Sequence, residues 1–156
     1  MEDEAGQNPL ISDQMEHEPS DVDSLTKQLN LLGKNLECST FCIITGTEFS
    51  GKTALLDAHL SRSKVTKFIR LYVTKSLDLK TLVGTYVCSE RLGEFEWKDG
   101  PLAAAYKQGY LLILENLESA KDEFYQMINN SIEGALEIRG SKKSPKHPNF
   151  KIIGTW

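Results

Sequence analysis

Apolar residues fall along this chain in two alternating patterns. Short runs with little polar interruption occur at Thr40–Thr45, Phe68–Val73, Tyr110–Leu114 and Phe150–Gly154, and each predicts a buried strand. Between them the apolar positions recur at helical spacing. Leu25, Leu29 and Leu32 follow Ser24, which predicts a helix capped by Ser24 and stopped by Gly33. Leu55, Leu56, His59 and Leu60 mark one face of a helix from Lys52 to Leu60. Ser76–Leu82 reads as a short helix ending near Gly84, and Pro101–Gln108 as an Ala-rich one closed by Gly109. Ser119–Ile132 turns Phe124, Met127 and Ile132 inward. Tyr86–Trp97 is a loop or hairpin, and Leu136–Ile138 a short strand before a basic loop, 139–147. Strands that are apolar throughout, alternating with helices, predict an α/β fold with a mainly parallel sheet covered on both faces.

Composition adds limits. Apolar residues make up 40% of the 156, enough for one core, and the longest apolar runs fall far short of a membrane span. The acidic N-terminus has no basic stretch followed by an apolar one, so no secretory signal is read. Residues 1–24 hold eight of the 22 acids and no Lys or Arg. The other 14 acids face 18 basic side chains, which leaves a body of charge +4 behind an acidic tail. Tail residues 1–24 are predicted to be disordered, and residues 25–156 to form the folded core. Charge gives little support to direct nucleic-acid binding, and the basic loop Arg139, Lys142, Lys143, Lys146, His147 reads as a solvated hairpin. Cys38, Cys42 and Cys88 form no CxxC pair and read as small buried thiols of a reducing compartment. His17, His59 and His147 are too scattered for a metal site.

Chemistry concentrates between the first strand and the helix after it. Gly46-Thr47-Glu48-Phe49-Ser50-Gly51-Lys52-Thr53 has the GxxxxGK[ST] spacing of a phosphate-binding loop. The two glycines let the backbone curl so that successive N–H groups point at phosphate oxygens, helped by the helix N-terminus. Lys52 supplies a cation for the outer phosphates, and the Thr53 hydroxyl is a ligand for Mg²⁺. ATP is the expected ligand. Such a loop needs a carboxylate from a second strand, and Leu111-Leu112-Ile113-Leu114-Glu115-Asn116 ends on one. In the preferred register Glu115 is the second metal ligand, and Asn116 stands where an acid usually orients the attacking water. A register shifted by one residue puts Leu114 and Glu115 at those positions and leaves no metal carboxylate.

From the loop onward the sequence resembles the dynein-related AAA ATPases, and within them modules of the midasin type. The resemblance rests on Asp78-Leu79-Lys80-Thr81-Leu82-Val83-Gly84-Thr85-Tyr86, on Phe95-Glu96-Trp97-Lys98-Asp99-Gly100-Pro101-Leu102, on Gly109 through Glu115, and on His147-Pro148-Asn149-Phe150. It covers roughly residues 38–156, and Trp97–Leu102 is its most specific block. It implies a three-layer P-loop NTPase fold of the AAA type and ATP hydrolysis with Mg²⁺. It also implies a ring of AAA modules, a pre-ribosomal particle of the large subunit as partner, and the nucleus or nucleolus as place of work. Glu115-Asn116 departs from the usual Asp-Glu, which predicts slow hydrolysis or none. Sensor 1, the arginine finger and the helical lid of such modules are expected to lie outside this sequence.

Overall fold

The computed structural model describes residues 21–90, 93–139 and 144–156. Its centre is a four-stranded parallel sheet in the order β1-β6-β5-β2, made of β1 (Phe41–Ile44), β2 (Phe68–Tyr72), β5 (Leu111–Glu115) and β6 (Lys151–Thr155). A separate antiparallel hairpin joins β3 (Gly84–Cys88) to β4 (Phe95–Asp99). The helices are α1 (Asp21–Cys38), α2 (Lys52–Ser63), α3 (Leu79–Val83), α4 (Pro101–Gln108) and α5 (Asp122–Glu133), with a 3₁₀ turn at Leu117–Ser119.

Two apolar clusters show why three layers form. Strand residues point alternately to opposite faces. Leu112, Leu114 and Ile152 face one side, where Leu102, Ala105 and Tyr106 of α4 and Phe124 and Ile128 of α5 meet them. Leu111, Ile113 and Ile153 face the other, against Leu32 and Leu36 of α1 and Leu56 and Leu60 of α2. Each fully buried Leu or Ile here removes side-chain surface worth about 1.5–3 kcal/mol from water. The mainly parallel α/β fold expected from the sequence is the fold observed.

Several boundaries differ from expectation. Gly33 does not stop the first helix, which runs from Asp21 through it to Cys38. Leu32 and Leu36 continue the buried stripe one turn further. A Cβ on Gly33 would make only ordinary contact with the His59 ring, at 4.0 Å. Ser24 therefore lies inside the helix, and residues 1–20 of the acidic tail lie outside the described residues. Leu136–Ile138 forms no strand of the sheet, only an isolated bridge at Ile138. Its apolar alternation reflects burial of Leu136 and Ile138 beneath the sheet's helices and not strand pairing. The expectation of buried thiols fails for two of three cysteines: Cys38 and Cys88 are exposed, and only Cys42 is partly covered. Cys38 ends α1.

The blocks 78–86 and 95–102 become one clasp. Asp78 caps α3, its carboxylate accepting from Lys80 N–H at 3.0 Å and from the Thr81 hydroxyl at 2.8 Å. Those two bonds hold the Asp78 carboxyl below the usual carboxylate range. Gly84 lies against the Trp97 ring and Gly100 against the carbonyls of Thr81 and Leu82, so a Cβ at either site meets a wall. Trp97 Nε1 donates to Asp99 at 2.7 Å, and Lys107 pairs with the same carboxylate at 2.8 Å. Burial pushes the Asp99 carboxyl up, but these partners outweigh it and hold it below its ordinary value. The Asp99-Gly100-Pro101 turn then starts α4 with Pro at its head.

Candidate functional site

The phosphate-binding loop links the C-terminal end of β1 to the first turn of α2. Its two glycines are needed for different reasons. A Cβ on Gly46 would come within 2.7 Å of Ser50 Oγ, whereas Gly51 has open space around it and a positive φ of 85°. Phe49 also has positive φ, 61°, and its ring stands fully in solvent. Ser50 N–H bonds the Thr47 carbonyl at 3.2 Å, and Leu55 N–H bonds that of Gly51 at 2.9 Å, closing the turn onto the helix.

No side chain caps α2 and its first turn holds no acid, so its leading N–H groups face the loop mouth. The Lys52 ammonium lies across that mouth, donating to the carbonyls of Gly46 at 2.5 Å and Thr47 at 2.8 Å. Thr53 follows on the exposed side of the same turn. Beside the loop a cavity of about 440 Å³ opens between it, β1 and α1, with Gln28, Leu31 and Asn35 on the α1 wall. Burial pushes the Cys42 thiol up, which keeps this lining residue protonated and inert.

Glu115 and Asn116 sit together at the end of β5, but their side chains go to different places. Asn116 adopts a left-handed backbone, φ 65°. Its Nδ2 donates to the Val73 carbonyl at 3.0 Å and to Ser119 Oγ at 2.7 Å, and its N–H donates to Thr155 Oγ1 at 3.2 Å. Those bonds tie the ends of β2, β5 and β6 together. The Glu115 side chain is 18% exposed and faces Arg70 of β2. Arg70 Nε stands 3.2 Å from Glu115 Oε1, an ion-pair distance without hydrogen-bond geometry, for that buried oxygen accepts no hydrogen bond among the described residues. Arg70 Nη2 also donates to Asp57 of α2 at 2.6 Å.

The loop residues Gly46–Thr53 form the turn from β1 into α2. Arg70 and Asp57 went unnoticed in the sequence. The available signal was a lone Arg inside an otherwise apolar strand, which calls for an acidic partner on the same face. Among the basic-loop residues, Lys142 and Lys143 lie outside the described residues, and Lys146 Nζ donates to the Ile132 carbonyl at 2.6 Å. The His147 ring packs against Gly109, so that glycine serves both a positive φ of 72° and a close approach. Among the described residues no group of three or more His, Cys, Asp or Glu gathers as a metal site, and no helix is long and apolar enough to cross a membrane.

Comparison with known proteins places this geometry. No protein-family model matches the chain. Midasin of Giardia intestinalis is 28% identical over 110 residues, 70% of this chain, and midasin of Dictyostelium discoideum is 27% identical over 136 residues, 86% of it. The chain spans only about 2% of the length of either relative. Among solved structures, a candidate ATPase from Cytophaga hutchinsonii superposes with a TM-score of 0.62 at 17% identity, over 83% of this chain and 38% of that one. NtrX from Brucella abortus gives 0.56 at 22% identity, over 86% and 30%. At these identities the structures share the fold. The chain is thus similar in sequence to a stretch of midasin and shares its α/β fold with the two solved structures.

Proposed function

We propose that this chain binds ATP through residues 46–53 and hydrolyses it slowly or not at all. One observation carries the proposal: the phosphate loop sits at a strand-to-helix junction with an uncapped helix N-terminus and the Lys52 ammonium at its mouth. Lys52 swings from the loop carbonyls to the outer phosphates, and the loop N–H groups hold the inner ones. The neighbouring 440 Å³ cavity has the size of a small-ligand site and offers the base apolar Leu31 with polar Gln28 and Asn35. Gly46, Thr47, Glu48, Phe49, Ser50, Gly51, Lys52 and Thr53 are the proposed contacts.

The AAA-type fold implies Mg²⁺ on the phosphates, with Thr53 and Glu115 as its expected protein ligands. The Thr53 hydroxyl is exposed at the loop and suits that role. Glu115 does not suit it as arranged, because the Arg70 guanidinium already faces its carboxylate.

Weak hydrolysis follows from Asn116. Its amide hydrogens go to Val73 and Ser119, and an amide takes no proton from water. Arginine-finger assistance, worth ~10³–10⁵ in rate, comes from a neighbouring subunit in many P-loop enzymes. By resemblance, such neighbours are other AAA modules of a ring, and the process served is assembly of the large ribosomal subunit in the nucleus or nucleolus. Calorimetric titration of ATP into the chain and into Lys52→Ala tests the binding claim. Saturable binding by the first, clearly weakened in Lys52→Ala, supports it, and equal affinity in both sinks it.

A further inference from the structure

We infer that Arg70 stands in for the divalent cation beside Glu115, so that this chain binds a nucleoside triphosphate with little dependence on Mg²⁺. The inference rests on the phosphate-loop reading above and specifies the ionic requirement of that same site. Register places the groups. Arg70 pairs with Ile113 and Tyr72 with Glu115, so Arg70 and Glu115 rise from the same face of the sheet, the face that α2 covers. Asp57 lies one helical turn after Thr53 on α2 and accepts from Arg70 Nη2 at 2.6 Å. The guanidinium therefore lies between the acidic strand end and the helix that leaves the loop, with one carboxylate on each side, at 2.6 and 3.2 Å.

This arrangement leaves a cation little to claim from the protein. A hard cation on the triphosphate is held first by the phosphate oxygens, and from the protein the Thr53 hydroxyl alone adds only a weak hold. To take Glu115 it must displace a guanidinium that Asp57 pins in place, and Arg has no neutral form to retreat to. With Arg70 present, the three side chains carry one net negative charge. Without it, two unneutralised carboxylates lie near the incoming triphosphate, and a divalent ion becomes the natural counter-charge.

The test is ATP titration calorimetry on the full chain, in Mg²⁺ and in EDTA, for wild type, Arg70→Gln and Glu115→Gln. Thermal melts run alongside to establish that each variant is folded. The wild-type affinities in the two buffers should agree within about threefold, and those of Arg70→Gln should differ by more than ~tenfold, with the EDTA value the weaker. Glu115→Gln should keep the wild-type ratio, since its carboxylate serves Arg70 and not the cation. If Arg70→Gln fails to fold, the wild type and Glu115→Gln still decide. A wild-type affinity that falls more than ~tenfold in EDTA, with Glu115→Gln erasing the difference, overturns the inference and makes Glu115 an ordinary metal ligand. A folded Arg70→Gln with the wild-type ratio overturns it as well. Absence of ATP binding in both buffers refutes the nucleotide reading itself, whereas binding with strong cation dependence refutes this inference alone.

Discussion

The two halves of the candidate nucleotide site are built in opposite ways. The phosphate loop is defined by backbone: two glycines, a positive-φ Phe49 and an uncapped helix N-terminus, with its one cation resting on loop carbonyls. The strand end, Glu115 and Asn116, is defined by side chains already engaged, with Arg70, Val73 and Ser119. The first half costs little to reorganise around a phosphate chain. The second is part of what holds β2, β5 and β6 in register. On the proposed reading, nucleotide binding rests on the first half and hydrolysis on the second, so variants should separate them.

That separation gives variants with opposite signatures. The largest effect falls on the loop. Lys52→Ala should lower ATP affinity by roughly 10–100-fold, the 1.5–3 kcal/mol of hydrogen bonds to a charged group, and leave the melting temperature unchanged. Paired calorimetry and thermal melts check both halves of that statement, and a large loss of stability would break the contrast.

Asn116→Ala should do the reverse. It strips hydrogen bonds to Val73 and Ser119 and puts a β-carbon residue without local polar help at φ 65°. A loss of about 1–3 kcal/mol in a denaturant titration is the expected outcome, with ATP affinity held within about twofold per folded molecule. A selective loss of affinity would mean that the amide touches nucleotide.

Asn116→Glu sharpens the comparison further. Restoring an acid should raise turnover by less than ~tenfold, because the side chain must first leave its structural partners and no stabilising Arg is added. Phosphate-release kinetics read this directly, and a rise of several orders of magnitude would show a site complete but for one proton acceptor.

The smallest effect belongs to His59, far from both halves, at the α1–α2 contact. Burial, and then Arg62, lower its pKa below the ordinary 6.5. Its neutral form is the one the fold prefers, so the unfolded chain takes up a proton first as pH drops. Stability should therefore fall as pH decreases through about 6.5 and level off below the folded pKa. Urea midpoints between pH 7.5 and 5 should show this slope, flattened in His59→Leu.

What the sequence made legible was local or periodic. The candidate phosphate loop is a run of eight residues whose turn depends on its own sequence, with positive φ at Phe49 and Gly51. The apolar strand Leu111–Leu114 has one place to go, the centre of a sheet. Features that depend on distant partners were hidden. Gly33 carries a local stop signal that packing of Leu36 against α2 overrides. Leu136 and Ile138 alternate as a strand does, yet they serve the core, and among the described residues only an isolated bridge forms there, at Ile138. Glu115 and Asn116 were read as a matched pair by adjacency, and only the fold reveals that one turns to Arg70 and the other to Val73.

The central claim is binding without efficient turnover, and one sample decides it. Purified chain is incubated with Mg²⁺ and a slight excess of ATP, and the bound nucleotide is recovered and identified by chromatography over time. The account predicts bound nucleotide that remains ATP, with turnover far below the ~1 s⁻¹ of ordinary enzymes. Recovery of ADP at ~1 s⁻¹ or faster, abolished by Lys52→Ala, would contradict it.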